Sequence, residues 1–138
     1  LGVGQLKEQE VIHPKIKHFG FIQPSEMQKY IAETGVFILP SHFEPWGVVV
    51  HEFAAAGFPL ILSKEVGASE QFLKNDQNGF IFNGGNIVEL KAAMQKVMNK
   101  KDTELIDMGQ KSVELAKSIT PEKWAKTLSS VLSPKLSE

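Results

Sequence analysis

The fold is decided by residues 36–62, which read VFILPSHFEPWGVVVHEFAAAGFPLIL. Residues 36–39 and 58–62 are continuous apolar runs, the first bounded by a proline. Such short runs are typical of strands that are covered on both faces of a sheet. Between them we predict a helix over residues 47–56, with the following glycine as its stop signal. The stretch therefore predicts a strand–helix–strand unit of a parallel sheet.

The same alternation continues on both sides of this unit. Residues 16–21 are predicted to form a strand, and a helix follows for which Ser25 and Gln28 have the spacing of a capping box. Residues 79–82 are predicted to form a short strand after an Asn-Gly turn signal. The pattern as a whole indicates an α/β domain with a Rossmann-like parallel sheet and flanking helices.

The last third of the chain is predicted to be helical. Asn86 and Glu89 form a cap pair for a first helix, a second covers residues 103–117, and a third starts at Thr120-Pro121. Two apolar stripes are expected to face a core, one on the first helix and one on the third: Ile87, Leu90, Met94, Val97 and Met98, and Trp124, Leu128, Val131 and Leu132.

Composition excludes several classes of function. The 138 residues carry a formal net charge of −1, contain no cysteine, and all 15 of their basic residues are lysines. Disulfides, thiol catalysis and cysteine metal sites are therefore excluded, and no basic stripe supports nucleic-acid binding. Any phosphate bound by these residues must meet lysines, backbone N–H groups or helix ends, because no arginine fork is present.

Ligands of open parallel sheets bind beyond the carboxyl ends of the strands, which directs attention to residues 41–46 and 63–69. The first of these loops places Glu44 at the crevice, turns at Gly47, and leads into a helix that carries Glu52. A helix N-terminus has unpaired donors and about half a positive charge, so it suits a phosphate. Two carboxylates beside such an end fit a nucleoside-diphosphate sugar, which has hydroxyls on either side of its phosphates.

The pattern P-S-x-x-E-P-W-G-x4-E-x-A-A-A-G-x-P over residues 40–59 resembles the signature of retaining GT-B glycosyltransferases of the family 4 kind. The likeness continues through Gly67-x-x-Glu70 and Asn78-Gly79-Phe80, and it covers nearly the whole chain. It implies a metal-independent, hexosyltransferase-like enzyme that needs no cofactor. Such an enzyme moves a sugar from a nucleotide donor to an acceptor hydroxyl and keeps the anomeric configuration.

The resemblance also assigns roles to residues. Glu44 would be the catalytic residue and bind hydroxyls of the donor sugar, and Glu52 would bind the ribose. The backbone amides of Gly47 and Val48 would meet the sugar and phosphates, and Ile22 would lie against the base. Trp46 belongs to the same predicted substrate site, although its spacing equally suits a core or lid aromatic.

Two departures from the family pattern are visible. Ala68 stands where a second glycine is usual, which is expected to narrow the approach of backbone to ligand. Leu1 to Gly4 resemble the end of the domain's second strand, so residues 1–138 are expected to be one donor-binding domain without its first strand–helix unit. A basic pair and the acceptor-binding domain would also be absent, and the isolated piece would be inactive.

The expected partners are a nucleotide-sugar donor and a glycan or lipid-linked acceptor, with no nucleic acid. The family's usual setting is polysaccharide or glycan biosynthesis in the cytoplasm, with peripheral association at the inner face of a membrane. The main alternative is a non-catalytic nucleotide-sugar binding module. A flavodoxin-like signalling domain is a third reading, but the acidic cluster that it needs at the end of a first strand is missing.

Each motif also has a plainer reading. Glu44 and Glu52 could be two solvated carboxylates, and Glu70 could serve only its own helix. His42 and His51 invite a metal site with these acids, but neighbouring helix positions differ by about 100°, so we expect none. Gly84-Gly85 could resemble a phosphate loop, although a plain turn is expected there.

Overall fold

The computed structural model describes residues 13–132. The chain divides into two compact units, Leu1–Thr34 and Gly35–Glu138, and each is treated by itself. The first unit contains a 3-10 turn at Pro24–Glu26 and the helix α1, Met27–Ile31.

Two predictions for the first unit are wrong. Residues 16–21 form no strand, because no described segment offers the hydrogen-bonded neighbour that a strand requires. Ser25 lies inside the 3-10 turn, so its side chain does not cap α1, whose N-cap position is Glu26. Leu1 to Gly4, which were expected to end a strand, lie outside the described residues.

The second unit is built on a three-stranded parallel sheet in the order β1-β2-β3. The strands are β1 Phe37–Leu39, β2 Leu60–Ser63 and β3 Gly79–Phe82. Five helices accompany them: α2 Val48–Ala55, α3 Ser69–Phe72, α4 Ile87–Met98, α5 Asp102–Ala116 and α6 Pro121–Leu132. The predicted α/β class, with a parallel sheet and flanking helices, is confirmed.

Different helices pack against the two faces of the sheet. Ile61 and Phe80 lie side by side in the register and form a cluster with Val97 of α4 and Met108 of α5. On the opposite face, the ring of Phe37 stacks on that of Phe53 of α2 at 4.1 Å between centroids. Side chains alternate between faces along each strand, so apolar residues at successive positions are needed to bury both.

The amino-terminal end of the sheet is closed by a buried polar network. Asn78 is fully buried, and its Nδ2 donates to the Phe72 carbonyl at 2.8 Å and to the Ser112 Oγ at 2.9 Å. The Ser112 hydroxyl in turn donates to the Phe58 carbonyl at 2.7 Å. Since these polar groups are all satisfied, the network ties α5 firmly to the sheet.

The apolar stripe of α4 is only partly core and that of α6 is exposed, contrary to expectation. Val97 is buried, but Ile87 and Met98 are 78% and 79% exposed, and Met94 is 40% exposed. On α6, Trp124 is 63% exposed, and the other residues of the helix are exposed as well. Amphipathic spacing identifies the apolar face of a helix but not what packs against that face. For this reason we predicted core contacts that most of these side chains do not make. No helix in the described part of the chain is long and apolar enough to cross a membrane.

Candidate functional site

The loop after β1 is bonded along its length to the loop after β2. The Glu44 N–H donates to the Glu65 carbonyl at 3.0 Å, and the Gly67 N–H donates to the Glu44 carbonyl at 2.9 Å. The Ala68 N–H continues the series by donating to the Trp46 carbonyl at 2.8 Å. Parallel pairing thus extends past the strand ends, with an isolated bridge between Glu44 and Val66. Glu44 is therefore held by its backbone at the carboxyl edge of the sheet.

This close approach depends on Gly67. A Cβ at this position would collide with the Pro45 carbonyl oxygen, so no other residue fits without moving one loop away from the other. The neighbouring Ala68 is fully buried, and its methyl group therefore offers no surface to a ligand. The expectation that Ala68 narrows the approach of a ligand is wrong for this reason.

The start of α2 lies directly after this paired segment. Gly47 is its N-cap residue with a φ of 87°, and no side chain caps the helix. The Val50 N–H bonds back to the Gly47 carbonyl at 2.9 Å, while Val48 and Val49 have no hydrogen-bond acceptor for their N–H groups among the described residues. A left-handed glycine and free donors at a helix start are the features of an anion-binding end.

Two carboxylates lie beside this helix start. Glu44 is half-buried, and a Cβ on Gly47 would stand 3.2 Å from its Cγ, so the Glu44 side chain lies against the N-cap. Glu52 is exposed one turn into α2. Neither carboxylate has a hydrogen-bond partner among the described residues, and both can therefore accept from hydroxyl groups of a ligand.

Trp46 and His51 both pack against the buried ring of Phe72. Trp46 remains 44% exposed, and its ring meets the buried Phe72 edge-on with 6.1 Å between centroids. His51 stacks flat on the same Phe72 ring at 4.5 Å, and its Nε2 lies 3.0 Å from the Ala116 carbonyl oxygen. The imidazole is thus engaged with α5. No group of three metal-ligating side chains occurs among residues 13–132, so the histidines and acids do not assemble as a metal centre there.

The structure brings together Glu44, Trp46, Gly47 and Val48, with Glu52 one helical turn further along. Ile22 belongs to the other compact unit, where it is half-buried, and its contact with a base stays a prediction.

The sequence directed attention to residues 63–69 but did not identify Ser63 and Glu65, whose side chains bond to neighbouring segments. The Ser63 hydroxyl, fully buried, donates to the Ser41 carbonyl at 2.6 Å. The Glu65 carboxylate accepts from the Gly84 N–H at 2.8 Å, across the ends of neighbouring strands. Gly84-Gly85 is a plain turn as predicted, with one of its N–H groups already occupied. No local motif marks such links, since both partners are about 20 residues apart in sequence.

Known proteins resemble this chain in sequence and in fold. Residues 4–117 match the family model described as glycosyl transferases group 1. The glycogen synthase of Mycobacterium tuberculosis is 34% identical over 80 residues, which are 58% of this chain and 19% of that protein. The chain thus spans about a fifth of the length of this relative.

Two solved structures show the same fold. Sucrose-phosphate synthase from Thermosynechococcus elongatus superposes with a TM-score of 0.70 at 23% identity, covering 82% of this chain and 28% of the other. Anabaena HepE, solved in complex with UDP and glucose, superposes with a TM-score of 0.70 at 22% identity, covering 85% and 32%. The family match covers most of the chain, and the predicted resemblance to GT-B glycosyltransferases is confirmed. The chain belongs to the glycosyl transferases group 1 family.

Proposed function

We propose that this chain forms the donor-binding site of a retaining glycosyltransferase that uses a nucleoside-diphosphate sugar. The observation that carries the proposal is the uncapped start of α2, with two carboxylates beside it that have no hydrogen-bond partner within residues 13–132. The family membership supports the transferase class, and HepE, which shares the fold, was solved with UDP and glucose. A non-catalytic binding module would need the same site but no acceptor, and family membership does not favour it.

The proposed donor lies across the α2 N-terminus. Its diphosphate accepts from the N–H groups at Gly47 and Val48, while Glu44 accepts from hydroxyls of the transferred sugar. Glu52 accepts from the ribose hydroxyls one turn along the helix. Trp46 borders the sugar.

The proposed catalytic effect is electrostatic. As the bond between the anomeric carbon and the diphosphate oxygen breaks, negative charge develops on the leaving group, and fixed N–H donors stabilise it more in the transition state than in the ground state. The new bond forms between the anomeric carbon and the acceptor hydroxyl oxygen, whose proton leaves with the diphosphate. Because the helix end supplies this stabilisation, the proposal requires no metal ion. The acceptor is a glycan or a lipid-linked glycan in polysaccharide assembly, with a cytoplasmic setting at the inner face of a membrane.

Calorimetry of the full-length protein with UDP, GDP and ADP tests donor binding. We expect one of the three to bind, and Glu52→Gln to weaken that nucleotide about tenfold, the loss of a charge-assisted hydrogen bond. Asp107→Asn, which changes an exposed acid of α5, is the matched control and should leave affinity unchanged. Equal affinities of Glu52→Gln and the parent protein would contradict the assignment. Transfer from the matching labelled donor, with the product's anomeric configuration read by NMR, separates a retaining enzyme from a binding module.

A further inference from the structure

Glu65 is the one residue of the loop after β2 that bonds to the loops on both sides of it. Its backbone carbonyl accepts from the Glu44 N–H at 3.0 Å. Its carboxylate accepts from the Gly84 N–H at 2.8 Å. These two bonds join the segments that follow β1, β2 and β3 at the carboxyl edge of the sheet.

The carboxylate of Glu65 lies in close contact with Gly84. A Cβ on Gly84 would collide with this carboxylate unless the Glu65 side chain moved aside, so the two groups are in direct contact. The bond is charge-assisted, which makes it stronger than an ordinary exposed hydrogen bond. The side chain itself is exposed and covers no core, so its conformation is explained by this bond rather than by burial.

The turn that receives Glu65 is itself anchored. The Asn83 N–H and Nδ2 both donate to the Glu89 carboxylate of α4, at 2.7 Å and 2.8 Å, and these bonds hold the Glu89 pKa below its ordinary value of 4.5. Glu65 is thus fastened to a turn that α4 holds in place. Its backbone, at the other end, is a fixed support for the Glu44 backbone.

We propose that Glu65 is a positioning residue, whose bond to Gly84 determines where the Glu44 carboxylate stands relative to the α2 N-terminus. The proposal rests on the donor role proposed for Glu44. Without the Glu65 carboxylate, the loop after β2 stays tied to β3 only as far as Lys64, whose N–H donates to the Phe82 carbonyl at 2.9 Å. The paired Glu44 segment is then free to move with the rest of the loop. Displacements of about 1 Å in a reacting geometry can lower a rate about 100-fold.

The chain supplies a matched control for this role. Glu89→Ala removes the Asn83 bonds to its carboxylate but leaves the turn held by the Asn86 N–H, which donates to the Asn83 carbonyl at 3.0 Å. Glu89 itself has no bond to the loops that carry Glu44 and Glu65. Gly84→Ala is an independent route to the same defect, because the added methyl displaces the Glu65 carboxylate without altering Glu65. Glu65→Gln retains a side-chain oxygen that can accept from Gly84, so it should act as the conservative rescue.

The test measures sugar transfer and the hydrogen exchange of the Glu44 amide in the full-length protein. We expect Glu65→Ala and Gly84→Ala to lower kcat about tenfold and to speed exchange of the Glu44 amide about fivefold, the effect of one weakened hydrogen bond. Glu65→Gln should stay within about threefold of the parent kcat, and Glu89→Ala within about twofold, since neither is expected to move Glu44.

An unchanged Glu44 amide in Glu65→Ala would overturn the proposal, as would equal kcat losses in Glu65→Ala and Glu89→Ala, which would mark a general loosening of the turn. The amide measurement does not depend on catalysis. If the parent protein transfers no sugar, the proposed function fails, whereas the exchange rates still decide whether Glu65 positions Glu44.

Discussion

Helices α2 and α4 both begin beyond the carboxyl edge of the same sheet, yet their first turns are built differently. α4 starts at Asn86, whose side-chain oxygen accepts from the Glu89 N–H at 3.1 Å, and Glu89 adds a carboxylate to its first turn. α2 starts at a left-handed glycine, has no side-chain cap, and has no acidic residue in its first turn.

The difference shows that two helix starts at the same edge of a sheet can have different roles, one in stabilising the fold and one in binding a ligand. The positive end of α4 is compensated by oxygens of the protein itself, which stabilises the helix and leaves little to attract an anion. The positive end of α2 is not compensated, which costs local stability unless a ligand supplies the negative charge. An uncapped end beside Glu44 and Glu52 is therefore the feature that the proposed donor site explains.

Removing the charge of Glu44 is expected to have the largest effect. Glu44→Gln should lower kcat for sugar transfer about 100-fold, because a carboxylate that accepts from sugar hydroxyls contributes about 1.5–3 kcal/mol as a charged hydrogen-bond partner. Steady-state kinetics with a labelled donor measures this loss. Asp107→Asn should keep the parent rate, and full activity of Glu44→Gln would remove Glu44 from the mechanism.

Alanine at the two glycines that precede α2 and α4 should separate strain from function. Gly47 and Gly85 have φ values of 87° and 76°, so an alanine at either costs about 1–2 kcal/mol of unfolding free energy. Only Gly47→Ala also adds a methyl beside Glu44, 3.2 Å from its Cγ.

Thermal unfolding should therefore show similar losses for both variants, while nucleotide affinity should fall about tenfold in Gly47→Ala alone, as expected for one lost charge-assisted contact. Equal nucleotide affinities of the two variants would mean that the start of α2 has no special role.

Removing the N-cap side chain of α4 should lower the stability of the fold without changing nucleotide binding. Asn86→Ala is expected to lower the free energy of unfolding by about 1 kcal/mol, the usual effect of losing an N-cap side chain. Denaturant unfolding measures the change, and nucleotide titration should give the parent affinity. Weaker nucleotide binding by Asn86→Ala would show that the end of α4, and not α2 alone, contributes to the site.

The smallest expected effect concerns the pH dependence of the α4 start. Hydrogen bonds from Asn83 lower the Glu89 pKa below 4.5, so this carboxylate stabilises the fold above that pH and loses its effect as pH falls through the lowered pKa. At neutral pH, Glu89→Gln should therefore melt slightly below the parent protein, and the two melting temperatures should converge as the pH falls below 4.5. A difference in Tm that stays constant with pH would contradict this origin.

The starts of helices α2 and α4 could be predicted from residue types that are close together in sequence. The bounds of α2 differ from the prediction by one residue at each end, because Gly47 and Gly57 mark both limits by their backbone conformation. The cap of α4 by Asn86 and the proline at the start of α6 followed in the same way from residue types at fixed spacings.

The remaining features depend on neighbours that spacing does not identify. A strand at residues 16–21 requires a partner, and the exposure of Ile87 and Met98 depends on what lies opposite α4. The links of Ser63 and Glu65 join positions about 20 residues apart, and polar residues in loops have many alternative partners. Sequence therefore located the two loops of the candidate site but not the bonds that hold them together.

Valine occurs at the start of both helices, which permits a direct test of the difference between them. Full-length protein labelled with 15N-valine reports the amides of Val48 and Val49 in α2 and of Val88 in α4. Titration with the nucleoside diphosphate that binds in calorimetry should shift the Val48 and Val49 resonances and leave Val88 in place, and the matching nucleoside without phosphates should shift none of them. A shift of Val88 alone, or unchanged Val48 and Val49 resonances at saturating nucleotide, would contradict the assignment of the α2 N-terminus as the diphosphate site.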